Sequence, residues 1–191
     1  MLVFCDIDTQ NDFMNEDGAL YVPNAECIKP ALKRLNDYAI SHDIQVIKTK
    51  DVHFGGPAYK DVEGELQING GPFPNHCMCG TPGEKSIVET ENDDANVFRK
   101  HTYDVFAEKG GSDEIVKYLK DNEVMSAVVY GVATDYCVKA AVLGLLERGV
   151  EVIVVRDAIA GVDSKSSDDA LKEMEEKGAV ISDLSAVTKG E

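Results

Sequence analysis

No stretch of this chain approaches the 18 or so consecutive apolar residues of a membrane span. Basic residues are scarce and scattered, 19 Lys and Arg against 35 Asp and Glu, and the formal net charge is −16. With no Lys/Arg cluster to offset that field locally, DNA, RNA and anionic bilayers would be repelled. The acidic surface reads as a solubility feature, and no nucleic acid or membrane partner is expected. A disulfide framework is also missing. The five cysteines, at 5, 27, 77, 79 and 137, are odd in number and lack framework spacing. The opening apolar run MLVFC is soon interrupted by Asp6 and Asp8, which is too soon for a secretory signal. Free thiols in a reducing, cytoplasmic compartment are therefore expected. Repeats, low-complexity tracts and interdomain linkers are absent from the pattern.

What is present suits one globular domain over residues 1–191, with 43% hydrophobic and 28% charged residues. A chain of this length buries roughly 70% of its unfolded surface and needs no staple merely to fold. Strand-like runs span Leu2–Ile7, Ile44–Thr49, Asn96–Arg99, Ser126–Tyr130, Val150–Val155 and Ala179–Ile181. Helical spacing marks Ala25–His42, Ser112–Lys120, Asp135–Arg148 and Ser166–Lys177. Residues 51–84 form a long loop rich in Gly and Pro. Continuous apolar strands alternating with amphipathic helices predict an α/β fold, a mostly parallel central sheet with helices on both faces. Ligands of such sheets bind beyond the carboxyl ends of the strands. Asp8, Asp51 with His53, Lys100 and Cys137 all follow strand ends, so separate segments bring their chemistry to one edge.

Cys137 lies in VVYGVATDYCVKAAVLGLLERG. Gly131 can turn the chain out of the strand and Thr134 can cap the helix, which places Cys137 in the first helical turn. Free backbone N–H groups there favour a thiolate and could stabilise an oxyanion. The bland alternative is a small residue packing a helix onto the sheet. Asp8, in DIDTQNDF, could take the thiol proton and return it to a departing amine; helix capping or a loop ion pair suits neighbouring Asp12 better. Lys100 would lower the thiol pKa and hold a carboxylate ionised, although a lone lysine is ordinarily just solvated.

A second cluster is Asp51-Val52-His53 with His76. Alternate residues of an extended segment project the same way, so Asp51 and His53 could grip one ion. Nitrogen and oxygen donors suit Zn, Fe(II) or Mn, with a fourth ligand from Asp61, Glu63 or Glu65. An Asp–His hydrogen bond in an ordered loop explains the same pattern without metal. Cys77 and Cys79 form a Cys-x-Cys pair with no second pair to complete a site.

DTQNDF (8–13), Lys100 followed by HTYDVF, and GVATDYCV (131–138) together resemble the isochorismatase-like cysteine hydrolases over nearly the whole chain. Within that family, KDVH (50–53) and PFPNHCMCGTPG (72–83) look like the metal-binding segments of nicotinamidases, also called pyrazinamidases. The resemblance implies an Asp8, Lys100, Cys137 triad, and a divalent metal, zinc before iron or manganese, on Asp51, His53 and His76. Gly64-Glu65-Leu66 resembles a segment that supplies Glu65 as a further ligand. It also implies an oxyanion hole from the N–H groups of Ala133 and Cys137, a cis Val132–Ala133 peptide, and substrate contacts from Phe13, Val132 and Tyr103. Val52 stands where nicotinamidases often carry an aromatic residue, and the chain has no Trp. The expected activity is amide hydrolysis through a cysteine thioester, nicotinamide being the first substrate and other small amides or ureido compounds the alternative. The expected partners are a small-molecule amide and further copies of the chain, as a homo-oligomer. A non-catalytic metal or thiol sensor built on His76, Cys77 and Cys79 is the rival from outside enzymology.

Overall fold

The strand-like runs become six parallel strands in the computed structural model, which describes residues 1–188. They are β1 (Leu2–Ile7), β2 (Gln45–Asp51), β3 (Asn96–Lys100), β4 (Ser126–Val132), β5 (Glu151–Ala160) and β6 (Val180–Ser182). Their order across the sheet is β3-β2-β1-β4-β5-β6, with every neighbouring pair parallel. The helices are α1 (Asn11–Met14), α2 (Ala25–Ser41), α3 (Asp113–Asp121), α4 (Lys139–Glu147), α5 (Ser164–Glu176) and α6 (Leu184–Val187).

The central strands read as unbroken apolar runs because both faces of the sheet are covered. Val3, Cys5 and Ile7 of β1, with Ala127 and Val129 of β4, pack with Ile115 of α3, Leu145 of α4 and Met174 of α5. Phe4, Val128 and Tyr130 point the other way, onto Ile28, Leu32 and Leu35 of α2 and Leu184 of α6. Leu32 and Leu35 are fully buried, worth about 2 kcal/mol each in apolar surface removed from water.

The structure departs from the sequence pattern in three places. Helices α1 and α6 have four residues each, too few for a 3.6-residue period to register. Strand β5 runs on past Val155 to Ala160, because the exposed Arg156-Asp157 pair sits in a bulge that interrupts the apolar run without ending the ladder. Finally, Gly131 does not turn the chain out of β4. It stays in the ladder opposite Ile7 at φ 118°, where a Cβ would collide with the Ile7 carbonyl. The chain leaves only at the Val132–Ala133 peptide, which is cis as expected.

Crossovers run outward from β1 through β2 to β3 and, on the other side, from β4 through β5 to β6. The sheet therefore reverses its winding between β1 and β4, and the carboxyl ends of those strands diverge to leave a crevice. Gly131→Ala is expected to cost roughly 2–4 kcal/mol, from a disfavoured φ plus a backbone clash. A urea midpoint lowered at unchanged slope would register this, and a loss under about 0.5 kcal/mol would mean the chain yields freely at that point.

Candidate active site

The turn bearing Cys137 differs from the expected simple helix start. Ala133, not Thr134, is the cap residue, and the chain first makes a π turn, Thr134–Val138, before α4 begins. The Ala133 carbonyl accepts from both the Tyr136 and Val138 N–H groups at 3.0 Å, which draws a wide loop of backbone around Cys137. Asp135 fixes that loop from outside. Its carboxylate accepts from the Val162 N–H at 3.0 Å and from the Ser166 hydroxyl at 2.6 Å. Cys137, only 8% exposed, lines a pocket together with Phe13, Asp51, Glu65 and His76.

Asp8 leaves β1 in a left-handed conformation, φ 50°, which aspartate tolerates better than most residues. Its Oδ1 accepts from the Thr49 hydroxyl at 2.6 Å, and its Oδ2 lies 2.8 Å from Lys100 Nζ. Lys100 ends the edge strand β3, pairs in register with Asp51, and reaches past β2 to the crevice. Its ammonium also bonds Asp51 Oδ1, donates to the Thr102 carbonyl at 3.1 Å, and stands 3.7 Å from Cys137 Sγ. Carboxylate oxygens of Asp8 and Asp51 and the Cys137 sulfur all lie within 4.8 Å of one another. The three residues named from separate segments thus meet, around a cation that is buried rather than solvated.

Burial sets the charge states. It raises the Asp8 carboxyl, with Lys100 working against the rise. Burial would raise Asp51 too, but Lys100, helped by His76 and His53, outweighs it and holds that carboxyl down at about 2. Burial alone would discharge Lys100; Asp51 and Asp8 instead push it well above the usual lysine range. The thiol behaves otherwise than the sequence suggests. Burial drives Cys137 well above its ordinary range, Lys100 opposes the rise, and Asp8 and Asp51 reinforce it. A helix terminus and one cation do not outweigh desolvation, so the resting sulfur carries its proton.

On the other side of Lys100, ligand atoms of Asp51, His53, Glu65 and His76 lie within 4.8 Å of one another. His53 is fully buried, yet neither ring nitrogen has a hydrogen-bond partner. Its Nε2 is 3.9 Å from Glu65 Oε1, too far for a hydrogen bond. Leaving such a group unsatisfied costs about 1–3 kcal/mol, and a coordinated cation removes that penalty. Burial lowers His53 to about 4, which keeps it in the neutral form a metal needs. His76 Nδ1 bonds the Pro74 carbonyl at 2.7 Å, leaving Nε2 facing Asp51 Oδ2 at 3.7 Å. Two imidazoles and two carboxylates fit a divalent ion of the zinc, iron or manganese class. Of the three acids, Glu63 accepts from the Phe54 and Gly55 N–H groups at 2.9 and 2.6 Å and groups instead with His53 and His101, Asp61 is exposed, and Glu65 stands with Asp51, His53 and His76. Among the described residues, neither Cys77 nor Cys79 joins a group of potential ligands.

Phe13, Val132 and Tyr103 line the same pocket as Cys137 and Asp51. Two further aromatic residues were not singled out from the sequence: Tyr136 meets Phe73 edge-on at 5.9 Å and Tyr103 at 6.2 Å. Tyr136 adjoins Cys137 and Phe73 lies in PFPNH, so position beside a motif was the available signal. Asp12 does more than cap. Its carboxylate accepts from the Cys77 N–H at 2.7 Å and the Ala19 N–H at 3.2 Å, tying the loop of His76 to the segment after β1.

A parallel sheet whose switch point gathers a buried thiol, an acid and an ammonium group is the architecture of isochorismatase-type hydrolases. The isochorismatase domain model matches residues 1–186, and the chain belongs to that family. It is similar to the nicotinamidase of Escherichia coli, 31% identical over 92% of this chain and 91% of that protein. It is also similar to the nicotinamidase/pyrazinamidase of Mycobacterium tuberculosis, 30% identical over 88% of this chain and 91% of that one. Among solved structures, the pyrazinamidase of Pyrococcus horikoshii in complex with zinc matches with a TM-score of 0.84 at 30% identity, covering 95% of this chain and 98% of its own. No helix among the described residues is long and apolar enough to cross a membrane.

Lys100→Met leaves Asp8 and Asp51 buried without their cation and is expected to destabilise the metal-free protein by about 3–5 kcal/mol. Adding Asp51→Asn should restore part of the loss. Chemical denaturation of the single and double variants checks this, and strictly additive losses would show that the ammonium does not couple to Asp51.

Proposed function

We propose that the chain hydrolyses nicotinamide to nicotinate and ammonia, with Cys137 as nucleophile, Asp8 as acid and base, and Lys100 as electrostatic anchor. One observation carries the reading. A single buried ammonium contacts the thiol and carboxylate on one side and, through Asp51, the two-imidazole cluster on the other. A reacting amide and a ring nitrogen held a few ångströms apart need that adjacency. The similarity to nicotinamidases and the aromatic pocket walls support the same substrate.

The resting thiol dictates the order of events. Asp8, whose ionised form Lys100 favours against burial, takes the thiol proton as the sulfur attacks the amide carbon. Backbone N–H groups of Ala133 and Cys137 receive the developing oxyanion. The carbon–nitrogen bond then breaks, and the proton from Asp8 leaves with ammonia. Water next attacks the thioester and gives a proton to Asp8. As nicotinate departs, that proton returns to the sulfur and restores the thiol. A divalent ion, zinc by analogy with the Pyrococcus enzyme, would be held by Asp51, His53, Glu65 and His76 and would supply a Lewis-acid site for the ring nitrogen. Phe13, Val132 and Tyr103 hold a flat ring and exclude water, so the amide reaches the sulfur already oriented. A small uncharged amide also suits an acidic protein with free thiols working in the cytoplasm.

Ammonia release from nicotinamide should exceed that from aliphatic amides of similar size, and Cys137→Ala should lower kcat about a thousandfold or more without unfolding the protein. Full turnover by Cys137→Ala would sink the mechanism, and preference for an aliphatic amide would sink the substrate. Stripping divalent ions with a chelator should lower kcat/KM and leave the fold intact, with recovery on adding zinc.

A further inference from the structure

Strand β2 outruns the strand beside it. β1 ends at Ile7, opposite Thr49, because Asp8 turns away at φ 50° to aim its carboxylate at Lys100. The last rung between them is the Asp8 N–H on the Thr49 carbonyl at 3.3 Å. On that side of β2 the next backbone groups are the N–H and C=O of Asp51, and no strand remains to meet them. β3 lies on the opposite side, where the Lys100 carbonyl accepts the Val52 N–H at 2.9 Å.

The side chain of Gln10 takes the missing strand's place. Its Oε1 accepts the Asp51 N–H at 2.8 Å and its Nε2 donates to the Asp51 carbonyl at 2.8 Å. The remaining Nε2 hydrogen goes to the Glu84 carbonyl at 2.8 Å. Gln10 is fully buried. One amide thus holds both backbone groups of one residue, as a paired strand would. That residue is the one facing two ways, with Oδ1 on Lys100 and Oδ2 3.7 Å from His76 Nε2.

We propose that Gln10 is a positioning residue for divalent-cation binding. Its amide fixes the Asp51 backbone, and so the direction in which the Asp51 carboxylate is presented to the cation. The proposal rests on reading Asp51 as a ligand. Gln10 itself is placed against neither the sulfur nor the imidazoles, and it acts only through Asp51.

The test compares zinc affinity, by competition with a chromophoric chelator, for the wild type, Gln10→Met and Gln10→Asn. Gln10→Met keeps the length and loses all three bonds; Gln10→Asn keeps the amide one methylene short. Partners that orient a ligand are typically worth 10- to 100-fold in affinity, and a loss in that range is expected for Gln10→Met, with a smaller loss for Gln10→Asn. Asn36→Leu is the control. It removes another buried amide, which donates to the Glu91 carbonyl, and should lower Tm while leaving zinc affinity within about twofold of the wild type. A folded Gln10 variant with wild-type affinity, or one that loses zinc only as much as Asn36→Leu does, would overturn the proposal. Failure of both Gln10 variants to fold would assign Gln10 to the fold alone and overturn it equally. A wild type that takes up no zinc would remove the metal reading and this proposal together. Tight zinc with no nicotinamide turnover would sink only the substrate.

Discussion

An ammonium group with 1% exposure would lose its charge if nothing answered it. Lys100 keeps that charge because two carboxylates reach it from strands on either side of the ladder that β2 and β1 share. The balance also runs the other way. Asp8 and Asp51 both reach the ammonium, and Glu65 adds a third acidic group beside Asp51, so acids outnumber the cation in a largely dry region. Such a region must take up protons or take up a cation. Burial raises the Glu65 carboxyl, and a doubly charged ion among Asp51, His53, Glu65 and His76 would answer the rest. The Asp8–Cys137 side and the Asp51–His53–Glu65–His76 side thus belong to a single charge balance that turns on Lys100.

The sheet explains why residues so far apart in sequence arrive together. Every strand is parallel, so every carboxyl end lies on the same edge, and the reversal between β1 and β4 opens that edge where Asp8 and Ala133 depart. The pocket walls then come from segments just past the strand ends: Phe13 after β1, Phe73 and His76 in the long loop, Tyr103 after β3, Tyr136 in the π turn. In a chain without tryptophan, phenylalanine and tyrosine make up the aromatic wall.

Strands β1 and β4 and helix α2 were legible because burial imposes a period on their side chains. The meeting of Asp8, Lys100 and Cys137 was legible because the three stand just past apolar runs. The π turn was not, since Thr134 reads as an ordinary cap while Asp135, within the turn, is held by Val162 and Ser166 of another segment. The contacts of Gln10 and Asp12 were hidden for the same reason: their partners, in Asp51 and Cys77, lie 41 and 65 residues away and are backbone groups, which leave no mark in composition. The protonated state of Cys137 was out of reach as well, because desolvation belongs to the packed interior. The choice among Asp61, Glu63 and Glu65 needed the path of the loop, which turns Glu63 onto the Phe54 and Gly55 N–H groups.

Lys100 stands on the outermost strand, whereas Asp8 stands at the centre, so their ion pair is a strap thrown across β2. Edge strands are where sheets ordinarily fray first. Here, lifting β3 would withdraw the ammonium from the sulfur, from the central acid and from Asp51 in one movement.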